Sequence, residues 1–144
     1  YSGLTGWQAG ATQEGSIQRL RHTGDKGIYL RDAKARKNRL ELTFTSPAKT
    51  EVFDKNSTHA SAWNYRWSKG YGSPKFKISN PDERGVDDLN VTTVKFSSDK
   101  KKLILGVPSL MPCHNLKLDF KLEGENGSKL EGPVYFTIHK LPES

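Results

Sequence analysis

Residues 60–74 read A-S-A-W-N-Y-R-W-S-K-G-Y-G-S-P, and within them Trp63, Tyr65 and Trp67 alternate with Ala62, Asn64 and Arg66. A period of two is the spacing of side chains on one face of a β-strand. Three large rings therefore share one face, and small or polar groups the other. The following K-G-Y-G-S-P (69–74) stops the strand, since glycine supplies positive φ and proline a fixed φ. Trp63 and Tyr65 read first as a buried core strand, because aromatic rings bring large apolar area. Trp67 and Tyr71, which border the loop, read as a stacking surface for a flat ligand.

The same period recurs on both sides of this stretch. Leu40, Leu42 and Phe44 alternate with Glu41 and Thr43, and Ser46-Pro47 ends that run. Leu116, Leu118, Phe120 and Leu122 alternate with Lys117, Asp119 and Lys121, and Val134, Phe136 and Ile138 with Tyr135 and Thr137. Further short strands are predicted at 16–21, 28–36 and 76–78. Residues 91–96 and 103–107 flank S-S-D-K-K-K and predict a hairpin. Residues 79–88 and 108–115 read as loop and crossover. No stretch sustains a helical i, i+3, i+4, i+7 pattern. Seven or eight short strands with regular turn signals predict an all-β fold, an antiparallel two-sheet sandwich. Its expected core includes Leu42, Phe44, Val94, Leu105, Leu118, Phe120, Phe136 and Ile138. Residues 1–15 read as an extended lead-in that pins Trp7 on the domain, and residues 16–142 as a single sandwich domain.

Composition agrees with that architecture. Only 33% of the 144 residues are hydrophobic and the mean hydropathy is -0.74, which suits strands with one wet face. No apolar run approaches the roughly 20 residues of a membrane helix, and no basic-then-apolar leader opens the chain. The single Cys113 leaves no partner for an intrachain disulfide or a cysteine zinc cluster. The net charge is +7, and residues 1–40 carry eight Lys and Arg against three Asp and Glu. Such asymmetry suits an anionic partner or an acidic neighbouring domain, and equally a solvated face.

The order L-E-L-T-F-T-S-P (40–47), W-N-Y-R-W-S-K-G-Y-G-S-P (63–74), V-K-F-S-S-D-K-K-K-L-I-L (94–105) and V-Y-F-T-I-H-K-L-P (134–142) resembles a known kind of module. It is similar to the immunoglobulin-like or fibronectin-III-like module near the C-terminus of large secreted proteins of environmental bacteria. The lead-in G-S-I-Q-R-L-R-H-T-G (15–24) fits too, so the resemblance spans about residues 15–142. Those proteins often combine the module with sugar-dehydrogenase-like, cytochrome-c-like or glycan-processing domains. The resemblance implies an Ig-like/fibronectin-III-like sandwich appended to something else, secreted or periplasmic. It brings no catalytic residues.

Chemical motifs are sparse. A c-type haem needs C-x-x-C-H, which is absent. A catalytic metal needs about three converging ligands. His22, His59, His114 and His139 are not spaced to provide them, and Cys113 and His114 would point to opposite faces of a strand. Gly72-Ser73-Pro74 lacks the G-x-S-x-G form of a nucleophile turn. Asp82-Glu83 and Asp87-Asp88 read as solvated loop carboxylates, with calcium ligation as the alternative. Asn56, Asn90 and Asn126 each open a glycosylation sequon, a weak signal.

The expectation is thus a non-enzymatic accessory module with no cofactor and no metal. It binds a polysaccharide, anionic ones included, through Trp67 and Tyr71, with Arg66, Lys69 and Lys75 at the rim and Trp63, Tyr65 and Trp7 extending the aromatic surface. The alternative is a structural module that packs against a neighbouring domain, and the weakest reading is a small enzyme. No membrane partner is expected, nucleic acid is supported by no RNP-like or helix-turn-helix signature, and a monomer is expected.

Overall fold

The computed structural model describes Ser2, Gly3, Ser16, Ile17, Arg19, Arg21, Gly24 and residues 26–143. Trp7 and most of the lead-in lie outside the described residues. Ser2–Gly3 (β1) pairs antiparallel with Ser16–Ile17 (β2). The sandwich itself is built from β3 (Leu30–Arg36), β4 (Arg39–Phe44), β5 (His59–Tyr65), β6 (Lys75–Phe76), β7 (Asp87–Leu89), β8 (Thr93–Phe96), β9 (Lys102–Gly106), β10 (Cys113–Asp119) and β13 (Val134–Ile138). A small ribbon, β11 (Lys121–Glu123) with β12 (Lys129–Glu131), extends the β10 and β13 hairpin. Two 3-10 turns, Thr50–Val52 and Lys55–Ser57, interrupt the polar 51–58 segment, and Asp54 caps the second by accepting from Asn56 N–H.

One sheet runs β3-β4-β9-β8, the other β13-β10-β5, with β6 and β7 sharing the far edge of β5. All pairings are antiparallel. The two antiparallel sheets pack on one core as a β-sandwich. The expected fold class is the observed one.

Turn chemistry sets the register. Arg36 pairs with Arg39, so Lys37-Asn38 forms a two-residue hairpin turn, and Asn38 takes the positive φ of 60° that asparagine tolerates. Between β8 and β9, Asp99 accepts from Ser97 Oγ (2.6 Å) and Lys101 N–H (3.1 Å), closing the turn predicted there.

Leu40, Leu42 and Phe44 of β4, Leu103 and Leu105 of β9, and Leu116 and Leu118 of β10 point between the sheets and are buried. Phe44 meets Phe120 across the core at a ring separation of 6.4 Å. A bulge in β10 between Cys113 and Leu116 turns both inward. Val94 and Phe136, expected in the core, are half-buried at its margin.

Strand β5 departs from the sequence reading in an instructive way. Ala60 and Ala62 face the core, opposite Leu118 and Leu116 of β10. Ser61, Trp63 and Tyr65 therefore face outward. The aromatic face is the outer face of the sheet, and bulky leucines across the ladder leave room for only methyl groups inside. β5 also ends at Tyr65, so Trp67 lies in the 66–74 loop rather than on the strand. Residues 87 and 88, read as the end of a loop, begin β7, and residues 113–115, read as crossover, begin β10.

Candidate functional site

The outer face of β13-β10-β5-β6 gathers the aromatic residues. Trp63 lies opposite Asn115, Ser61 opposite Lys117, Lys117 opposite Tyr135, and Tyr65 opposite Lys75. Directly opposed residues share a face, and diagonal neighbours stay within reach of long side chains. Tyr135 accordingly meets the Trp63 ring edge-on at 6.5 Å and 79°. The Lys75 ammonium sits 3.9 Å from the centre of the Trp63 ring. These two neighbours explain why Trp63, on an outer face, is only 5% exposed. Its indole Nε1 finds no hydrogen-bond acceptor among the described residues.

The 66–74 loop rises from this face. Arg66 N–H donates to Ser73 Oγ (3.0 Å), pinching the two ends together. Ser68 Oγ reaches the carbonyls of Gly70 (3.3 Å) and Gly72 (3.2 Å), and Gly72 takes the positive φ of 82° that the turn requires. The polar groups of the loop thus bond inward while its rings point out. Trp67 is 88% exposed and Tyr71 fully so, and Tyr65 at the end of β5 is partly exposed.

The cations divide by role. Arg66 is tied down: its Nη2 donates to Pro81 O and pairs with Asp82, and its guanidinium lies 4.6 Å from the Phe76 ring centre. It locks the loop to the 77–86 segment instead of rimming a ligand surface. Lys75 covers Trp63. Lys69 is exposed and has no ion pair among the described residues.

At the base of the loop, Tyr65 N–H donates to His114 Nδ1 (2.9 Å), His114 N–H donates to Asn64 Oδ1 (2.9 Å), and Thr137 Oγ1 donates to His114 O (2.7 Å). These bonds splice the end of β5 to the bulge of β10, so the loop springs from a fixed base. Cys113 is buried on the opposite face from His114, and burial pushes its thiol pKa up against a hydrogen bond from Ile138 N–H. Such a thiol is inert. Among the described residues, no three His, Cys, Asp or Glu side chains gather as metal ligands would.

Elsewhere, a cleft of about 600 Å³ lies between the second 3-10 turn and β7, lined by Lys55, Asn56, His59, Asp88 and Asn90 among others. It contains no Trp or Tyr, and Lys55 Nζ is drawn to Thr92 O (2.7 Å).

The fold has a solved counterpart. The chain is similar to PcoC, a copper resistance protein from Escherichia coli, with a TM-score of 0.50 over 76% of this chain and 98% of that one. At 13% identity the likeness carries the β-sandwich and nothing of ligand or site. No protein-family model matches the chain, and no curated protein matches it. Also among the described residues, no helix is long and apolar enough to cross a membrane.

Of the residues singled out from sequence, Tyr65 at the end of β5 and Trp67, Lys69 and Tyr71 in the loop that follows are exposed. Trp63 and Lys75 pack on each other on the outer face of the sheet. Arg66 is spent on the scaffold, and Trp7 is outside the described residues. Sequence reading missed Tyr135 as part of this face. Its signal was available: in V-Y-F-T-I it holds an outward position between inward Val134 and Phe136.

Proposed function

We propose that the chain is a non-catalytic binding module, an accessory part of a larger secreted or periplasmic protein, and that it takes up polysaccharide on the aromatic loop. The observation that carries this reading is the exposure of Trp67 and Tyr71 on a loop whose polar groups are bonded internally. An indole left in water costs apolar hydration, which ligand contact relieves. A sugar ring presents flat C–H faces to such rings. A rigid aromatic with two χ angles loses little entropy on binding. The splice at His114 and the anchor of Arg66 on Asp82 hold the platform in place before binding, which lowers the ordering cost further.

Affinity electrophoresis through gels containing neutral and acidic glycans tests the reading. Wild-type protein should be retarded by at least one of them, and Trp67→Ala and Tyr71→Ala should each abolish the retardation while leaving migration in empty gels unchanged. Absence of retardation in every gel, or retardation that survives both substitutions, favours the alternative of a module that packs against a neighbouring domain.

A further inference from the structure

The sandwich has a second outer face, and its chemistry differs from that of the aromatic one. In the β3-β4-β9-β8 sheet, Ala33, Leu42 and Leu103 turn inward in register, so the residues that alternate with them turn out. Lys34 and Arg36 of β3, Arg39 of β4, Lys102 of β9 and Lys95 of β8 stand on that outer face. None of the five is buried. Four strands at about 4.8 Å spacing spread them over about 15 Å. Two carboxylates share the face: Asp32, paired with Lys34 (3.2 Å), and Glu41. The Glu41 side chain is 15% exposed and that of Arg39 40%, so the cation stands higher on the surface. The Glu41 carboxyl accepts from Arg39 Nε (2.8 Å). That bond, against burial and with the attraction of Lys102 and Arg36, holds its pKa below the usual carboxylate range. Arg36 faces Arg39 directly across the ladder, a like-charge pairing that costs stability. Five cations against two carboxylates leave three net positive charges, spread around one large apolar side chain, Ile104.

We propose that this face adsorbs to an anionic lipid surface, which it meets through charge complementarity. The proposal is independent of the glycan reading, because the aromatic loop follows β5 of the other sheet. A planar partner suits cations displayed across the face of a sheet. A protein partner fits poorly. Interface cores are depleted in lysine and enriched in aromatic rings, whereas three of these five cations are lysines and the register rows that hold them carry no ring. Single-stranded nucleic acid needs rings to stack on, and a duplex needs a helix or ribbon that enters its groove. A lipid surface needs neither. It requires like charges brought within a Debye length, about 8 Å at physiological salt. Each Lys or Arg so placed strengthens partitioning about fivefold. Anionic headgroups over Arg36 and Arg39 also relieve the repulsion between them. Adsorption of this kind uses no apolar span, so the low hydropathy of the chain does not speak against it.

Cosedimentation with vesicles of phosphatidylglycerol in phosphatidylcholine, and of phosphatidylcholine alone, tests the proposal. Three net charges should favour the anionic vesicles about a hundredfold at about 0.1 M salt, and about 1 M salt should abolish the difference. Lys95→Glu changes two charges and should weaken binding about 25-fold, whereas Asp32→Asn, which frees Lys34, should strengthen it about fivefold. Loss in one variant and gain in the other cannot both come from misfolding, and urea midpoints check each. A lipid spin-labelled at its headgroup supplies the orientation. Amide resonances of β3, β4, β8 and β9 should broaden while those of residues 66–74 stay sharp. Equal partitioning into both kinds of vesicle, or binding unchanged in both variants, overturns the proposal. Broadening centred on residues 66–74 overturns it too, and assigns the exposed rings of Trp67 and Tyr71 to lipid. Duplex DNA or polygalacturonate that binds this face as tightly at equal anionic-group concentration overturns the lipid assignment and makes the face a site for linear polyanions. Failure of every glycan to retard the protein overturns the glycan reading alone, because the vesicles carry no sugar chain.

Discussion

Trp63 and Trp67 are four residues apart on one aromatic run, yet their truncation should cost very different amounts of stability. Trp67 is 88% exposed, so roughly 25 Å² of a ring system of about 200 Å² is covered. At about 25 cal/mol per Å² that burial is worth about 0.6 kcal/mol, and Trp67→Ala should cost no more. Trp63 is 5% exposed. Deleting a buried tryptophan costs about 3–5 kcal/mol through lost burial and the cavity left behind. The unpaired Nε1–H disappears with it, which offsets about 1–3 kcal/mol. Taking the middle of each range, the net cost of Trp63→Ala should be about 2 kcal/mol. Trp63→Phe keeps most of the ring and removes the orphan donor, so it should cost under about 1 kcal/mol by the same offset. Urea denaturation with linear extrapolation resolves such differences when the slope is unchanged. A loss above 2 kcal/mol for Trp67→Ala, or below 1 kcal/mol for Trp63→Ala, would refute the assignment of one ring to the platform and the other to its floor.

Two further outcomes follow from the packing and the charges. Phe120, between β10 and β11, is 2% exposed and set against Phe44; its truncation to alanine should cost about 3–5 kcal/mol, and a loss under 1 kcal/mol in the same urea assay would contradict its place in the core. Among the described carboxyls held below their ordinary range are Glu41, by the hydrogen bond from Arg39 Nε (2.8 Å), against burial, and Asp87, despite burial, by bonds from Ser79 N–H (2.8 Å) and Oγ (2.7 Å). A depressed folded-state pKa gives stability that is present above the unfolded value and lost as pH falls through the folded one. Thermal midpoints should thus drop as pH falls through about 4 and below, and Asp87→Asn should flatten that drop; an unchanged acid limb in Asp87→Asn would contradict it.

Much of the sandwich is legible in the sequence, because leucine and phenylalanine mark the inner faces of β4, β10 and β13. Alternation reports that a strand has two faces, but not which one is inside. In β5 bulk is a misleading guide: Ala60 and Ala62 lie at the centre, where Leu116 and Leu118 fill the space. β7 escapes a propensity reading because Asp87 and Asp88 are poor strand formers, and it forms by completing the β5 edge. The exposed pair Trp67 and Tyr71 is legible from turn residues alone. The roles of Arg66 and Lys75 are not, because Asp82 reaches Arg66 through the 77–86 loop and Lys75 reaches Trp63 through hairpin register. Both are long-range consequences of folding.

A map of backbone amide chemical shifts during titration with a glycan that retards the protein tests the central claim most directly. The binding account predicts shifts concentrated in residues 63–76 and around Tyr135, with β3, β4, β8 and β9 unmoved. Shifts centred on the cleft beside His59 and Asp88, or on the β3-β4-β9-β8 sheet, would contradict it.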